Sequence, residues 1–178
     1  VRHRFGSWII MLYDSNLEEN SELKNHPYLN ESGKAAVDNY MYDTKKQQDV
    51  SSVKLGYMSD EFISIGNISL REGSMPQEDD EAAIEWDTLI KLNQGTTIGQ
   101  DIVINIRKSN SPYSDVIEKT YKLTGILNNY TNVWTGGNNV PGIILKEDEA
   151  DSINRIGKAT YIYSSNNYID KNYTSIYE

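Results

Sequence analysis

A chain of 178 residues, 38% of them hydrophobic, is long enough for one ordinary core or for two small lobes sharing an interface. With 26 acidic against 17 basic side chains the formal net charge is -9 and the pI is near 4.7; this argues against the basic footprint of a nucleic-acid binder and against close docking on anionic lipid head groups. The absence of cysteine excludes disulfides, thiolate chemistry and Cys-ligated zinc.

Residues 5–13 (FGSWIIMLY) form the first candidate strand, apolar enough to be covered on both faces. Its apolar run is far short of the ~20 residues that span a bilayer. Arg2, His3 and Arg4 precede it without an A-x-A-like site, so it does not read as a signal peptide. Asp14, Ser15 and Asn16 end the strand and can cap a short helix over 17–24, with Leu17 and Leu23 as its contacts; His26-Pro27 breaks that helix. In residues 31–48, Ala35, Ala36, Val37, Tyr40 and Met41 lie on a polar background and suggest a helix or partly ordered excursion rather than plain loop, with 45–50 exposed. A strand is expected over 53–58. A helix over 60–65 (DEFISI) follows, capped by Ser59 and closed by Gly66-Asn67.

The organising stretch is 70–106. It predicts a strand end, a Gly-Ser-Met-Pro turn with Gly73 and Pro76, an acidic loop, a strand over 81–85 and a helix over 86–92. Ile84, Leu89, Ile90 and Leu92 fall near one helical face, and Asp87 lies in the first turn, where the macrodipole favours an anion. Asn93 and Gly95 are the stop signal. Ile98, Ile102, Ile104 and Ile106 then alternate with polar residues as in a half-buried strand. Gly99, between turn and strand, predicts a tight turn or positive φ. A turn over 108–114 (KSNSPYS) makes a hairpin with 119–127. A long polar loop over 128–140 carries one tryptophan, Trp134. A strand over 141–145, a helix over 147–155, a strand over 159–163 and a helix or tail over 166–178 complete the chain. The fold class expected is α+β, one mixed domain over 1–178 with short strands in one or two small sheets.

One order of signals resembles a known family. Glu72, Gly73, Pro76, Glu81, Ala83 and Ile84, then Gly95, Ile98, Gly99, Gln100, Ile102 and Ile104, then Tyr121 to Leu127 resemble the MacB-type periplasmic core domain, the extracytoplasmic module of FtsX-like ABC-transporter permeases. The resemblance covers the middle third well and the flanks loosely. It implies a porter-like lobe built from both ends of the sequence with a second lobe inserted. It also implies a non-catalytic domain on the extracytoplasmic face of a bacterial membrane, extracellular in a Gram-positive host. Such a domain would bind or gate a substrate or partner and relay motion driven by a cytoplasmic ATPase. The partners implied are the membrane helices of the same permease, a second permease copy, or an extracellular protein or peptide. The alternative is a free-standing extracellular binding or adhesion module.

No catalytic constellation competes with this reading. The run Glu78-Asp79-Asp80-Glu81 lacks the ligand spacing of a calcium loop and reads as solvated. Glu147, Asp148, Glu149 and Asp151 read as a helix N-terminus. Glu81 and Glu85 would stand about 13 Å apart at ~3.3 Å per residue, beyond the separation of a glycosidase pair. His3 and His26 are the only imidazoles, no G-x-S-x-G elbow exists, and His26 reads as a capping or packing residue. Residues 95–99 (GTTIG) lack the Lys of a phosphate loop. No catalytic, metal or cofactor site is therefore expected. The candidate contact surface is the 128–140 loop, with Trp134 as anchor, Tyr130 and Asn132 beside it, and Gly136 and Gly137 flanking; the other reading of Trp134 is a structural one, folded back on the core.

Overall fold

The computed structural model describes residues 8–15, 21–107, 115–132, 134, 140–153 and 159–165. In chain order these form β1 (Trp8–Ser15), α1 (Ser21–Lys24), β2 (Leu29–Asp43), β3 (Gln48–Met58), α2 (Asp60–Ile65), β4 (Leu70–Gly73) and β5 (Glu81–Glu85). There follow α3 (Trp86–Leu92), β6 (Asp101–Arg107), β7 (Val116–Leu127), β8 (Ile143–Ile144), α4 (Glu147–Ile153) and β9 (Ala159–Ser165). The described strands belong to one mixed sheet of order β1-β9-β2-β3-β8-β5-β7-β4, with β6 paired to β7 and touching β2. Pairing is antiparallel except for β3 with β8 and β5 with β7. The mixed α and β expectation holds, but not the short strands in small sheets: the described strands join in one nine-stranded sheet, with β2 of 15 and β7 of 12 residues, because β2 and β7 each bridge several partners.

Where the sequence carries local signals, they operate as read. Ser59 accepts from the Phe62 backbone N–H at 3.2 Å and caps α2, which ends at Gly66. Asn93 closes α3 in the left-handed region at φ 52. Along β7 exposure alternates from Val116 until both faces are covered beyond Gly125. The hairpin partner β6 runs antiparallel to it from Asp101↔Lys122 to Arg107↔Val116.

Residues 31–48 differ from the expectation. They are neither helix nor excursion: β2 runs through them, turns at 44–47 and returns as β3. The reason is tertiary. The backbone of β2 is used on both sides, by β9 from Leu29↔Ser165 to Ala35↔Thr160 and by β3 from Ala35↔Met58 to Asp43↔Gln48. The small residues serve close approach, since a Cβ on Gly33 would stand 2.3 Å from the Phe62 backbone of α2. Ile90 departs as well: Leu89 is buried on α3, but Ile90 points outward and is 54% exposed. The expectations for 17–20, 108–114, 154–155 and 166–178 lie outside the described residues.

Three groups of buried side chains fill the interior. Ile84, Ile102, Ile104, Tyr121 and Leu123 lead the first, under β5, β6 and β7. Phe62, Ile65, Leu127, Tyr130 and Trp134 lead the second, where α2 meets the sheet. Ala36, Ala159, Tyr161 and Tyr163 form the third, between β2 and β9.

Candidate functional site

The segment expected to face a partner begins where β7 ends, and a carboxylate from β5 holds it. Glu85 is the last residue of β5 and stands at the N-cap of α3, yet its side chain does not cap that helix. It turns inward and is fully buried. Its Oε1 accepts from the backbone N–H groups of Tyr130 and Thr131, both at 2.8 Å, and from Thr131 Oγ1 at 3.0 Å. Its Oε2 accepts from Thr88 Oγ1 at 3.0 Å and Thr131 Oγ1 at 2.9 Å. A buried carboxylate is tolerated only when hydrogen-bonded in this way. The cap that Glu85 does not supply comes from the loop: Asn129 Oδ1 accepts from the Asp87 N–H at 3.0 Å. Asn128 joins the segment to Ser69, N–H to carbonyl at 3.0 Å and Nδ2 to Oγ at 2.9 Å.

The two aromatic residues named for the contact surface, Trp134 and Tyr130, are interior. Trp134 is 8% exposed and stacks on Phe62, with ring centroids 5.1 Å apart. Its six-membered ring lies so close to Gly66 that a Cβ there would come within 2.9 Å of it. Tyr130 is 5% exposed and donates its hydroxyl to the Pro141 carbonyl. Burial, and then the Glu85 charge, push its phenol well above the usual tyrosine value. The physical reason is area: an indole and a phenol beside an uncovered apolar helix gain more by packing on it than by standing in water. Of the three residues named, Asn132 is exposed, with Nδ2 at 3.4 Å from Asp87 Oδ2. Gly136 and Gly137 lie outside the described residues.

Gly73 and Gly99 have φ of 78 and 88, values that side chains rarely adopt. The Gly99 N–H donates to the Leu123 carbonyl at 2.7 Å. Gly95 lies under Gln100, whose Nε2 donates to the Gly95 carbonyl and whose Oε1 accepts from the Thr97 N–H at 3.0 Å. Pro76 lies half-buried in the loop after β4. His26 is exposed; its Nδ1 accepts from the Tyr28 N–H at 3.3 Å and its own backbone N–H donates to the Leu23 carbonyl at 3.0 Å.

The carboxylates separate by role. Glu81 folds onto its own loop, accepting from the Gln77 and Glu78 N–H groups at 2.8 and 3.2 Å. Asp79 meets Lys146 at 3.4 Å. Glu149 lies in the first turn of α4, as read, and its side chain is also buried at the sheet: Oε1 accepts from Lys119 Nζ at 2.8 Å and Tyr121 OH at 2.7 Å. It ties α4 to β7. Sequence reading missed Glu85 and Glu149 as fasteners. The one signal for Glu85 was a carboxylate directly following the apolar run Ala82-Ala83-Ile84.

No family model and no curated protein matches the chain. Solved structures do. The chain resembles a domain of a Porphyromonas gingivalis protein described as a permease, at 11% identity and a TM-score of 0.48, covering 93% of this chain. It spans 65% of that domain's length. The periplasmic region of MacB from Actinobacillus actinomycetemcomitans gives 9% identity and a TM-score of 0.48 over 90% of this chain and 71% of that one. The extracellular domain of the ABC-type transporter YknZ from Gram-positive bacteria gives 9% identity and a TM-score of 0.54, over 91% of this chain and 86% of that one. The chain thus has the fold of an ABC-type transporter's extracellular domain, the fold that the residues from Glu72 to Leu127 implied.

Proposed function

We propose that this chain is the extracytoplasmic domain of an ABC-transporter permease. It contacts a substrate or partner and passes on movement driven by a separate cytoplasmic ATPase, without chemistry of its own. The observation that carries the reading is the likeness to the YknZ extracellular domain across 91% of this chain and 86% of that one. Strand register supports it. Trp8 pairs with Ser164 and Leu29 with Ser165, so β1 begins where β9 ends, and chain entering and leaving does so side by side. A domain set between two membrane helices needs that arrangement. In this reading β1, β9 and the first half of β2 form the porter-like lobe, and β6 and β7 belong to the inserted lobe. Among the described residues no helix is long and apolar enough to cross a membrane, so the helices of the permease are the first partners. A second permease copy or an extracellular protein or peptide would meet the exposed rim around Asn132.

Because the chain has no cysteine, one introduced thiol can report its side of the membrane. Ser52 is exposed; Ser52→Cys in the full-length protein is expected to react, in intact cells, with a membrane-impermeant maleimide that leaves the unsubstituted chain unlabelled at this domain. Reaction only after permeabilisation refutes the extracytoplasmic placement. Release of the protein from membranes by an alkaline carbonate wash refutes the permease reading in favour of a free-standing module.

A further inference from the structure

We propose that Glu85 is the pin of a strap: its carboxylate holds residues 128–132, and with them Trp134, closed over β5 and α2, so that removing it releases them as one unit. The inference concerns the fold itself and stands apart from the transporter reading. Adjacent backbone N–H groups, those of Tyr130 and Thr131, end on the same buried oxygen, both at 2.8 Å. Consecutive amides aimed at one point form a concave anion site, and here the chain fills it with its own side chain. Two hydroxyls, Thr88 Oγ1 and Thr131 Oγ1, complete the four donors around the carboxylate. Besides the buried bond from the Tyr130 hydroxyl to the Pro141 carbonyl, the segment is attached by Asn128 to Ser69, Asn129 to the Asp87 N–H and Asn132 to Asp87, and these three face solvent. Water can replace those at little cost, but it cannot reach the Glu85 bonds while the segment is closed.

The aromatic contacts then follow the pin rather than substitute for it. Trp134 reaches Phe62 and Gly66 on the α2 side only while the preceding residues are held on the α3 side. Without the carboxylate, the Tyr130 and Thr131 amides would be buried and unsatisfied in the closed form, and opening would let water satisfy them. One side chain on β5 therefore sets the link between α3 and α2.

The test is residue-resolved amide exchange on the full chain, with 19F spectra of fluorotryptophan assigned by Trp→Phe substitution, for Glu85→Gln and Glu85→Ala. Glu85→Gln keeps the volume and one acceptor; Glu85→Ala keeps neither. The expected result is exchange at Tyr130 and Thr131 at least tenfold faster in Glu85→Ala and less so in Glu85→Gln. The Trp134 resonance should move toward its solvent-exposed position in step, while the Ile102 and Ile104 amides stay protected. Unchanged protection at Tyr130 and Thr131 in both variants overturns the proposal, because packing alone would then hold the segment. Faster exchange with an unmoved Trp134 resonance overturns release as a unit. Loss of protection at Ile102 and Ile104 in both variants overturns it too, making Glu85 a determinant of the whole fold.

Discussion

Two irregular segments, one between α3 and β6 and one after β7, are held by different means. The turn at 93–100 has side-chain fasteners from its own residues, beside the backbone bonds of Gly99 and Gln100 to Leu123 on β7. Gln100 reaches back three and five positions to Thr97 and Gly95, and Gln94 reaches nine forward, where its amide pairs with both the N–H and the carbonyl of Val103 at 2.9 and 2.6 Å. That second contact covers part of β6's open edge with a side-chain amide, a means of discouraging edge-to-edge pairing. Residues 128–132 are bonded to Ser69, Asp87 and Pro141, and the adjacent N–H groups of Tyr130 and Thr131 are held from 45 and 46 residues away by one buried carboxylate. The lesson is that a turn held by local contacts can be damaged in pieces, whereas a segment held at one distant point yields together.

The largest expected effect sharpens this contrast on the side of the distant pin. Trp134→Ala removes an indole stacked on Phe62 and should cost about 3–5 kcal/mol in urea unfolding, as large-to-small core substitutions do. A change near zero would mean that the ring is not part of the core. Next comes Glu85→Ala. It leaves two buried N–H donors without an acceptor, each worth about 1–3 kcal/mol, so a loss of about 2–5 kcal/mol is expected; a loss confined to a few tenths would remove the distinction between the two segments.

On the local side, Gly99→Val tests backbone conformation almost alone. No atom lies within 4 Å of where a Cβ would stand, so the cost comes from φ of 88. A thermal melt should show about 1–3 kcal/mol of destabilisation. An unshifted midpoint would make Gly99 a spacer.

Smaller still is Tyr130→Phe, which loses the hydroxyl bond to Pro141 and about 1 kcal/mol at neutral pH. Its pH dependence carries more information. The folded chain keeps the Tyr130 proton above pH ~10, where the unfolded chain has lost it. This contribution is therefore complete below pH ~10 and is lost as the pH rises toward the folded value. The variant should lose stability less steeply above pH 10 than the parent. A slope remains from Tyr57, pushed up to about 12 by burial and by Glu147, and from Tyr121, raised by burial and its bond to Glu149. Identical slopes in parent and variant would place Tyr130 in water. Least costly is Gln94→Ala, expected at about 0.5 kcal/mol because the freed Val103 groups can turn to solvent. Its sharper readout is self-association by sedimentation, and an unchanged monomer would show that the edge needs no cover.

Features whose causes lie within about five residues were determined by the sequence itself. Ser59 caps α2 because a hydroxyl before a helix can reach the N–H three positions on. Asn93 and Gly99 take positive φ because they tolerate it. The alternation in β6 and β7 shows directly because each needs only one covered face. Tertiary structure decided the rest. Residues 29–43 became a strand since β9 pairs with their first half and β3, across the turn at 44–47, with their second, and no periodicity in those residues encodes a partner as distant as β9. Ile90 stands in water because α3 buries only the side that meets the sheet. The same physics turned Trp134 inward and joined Glu85 to Tyr130 and Thr131: a buried carboxylate must find donors, and which ones it finds depends on how distant segments come together.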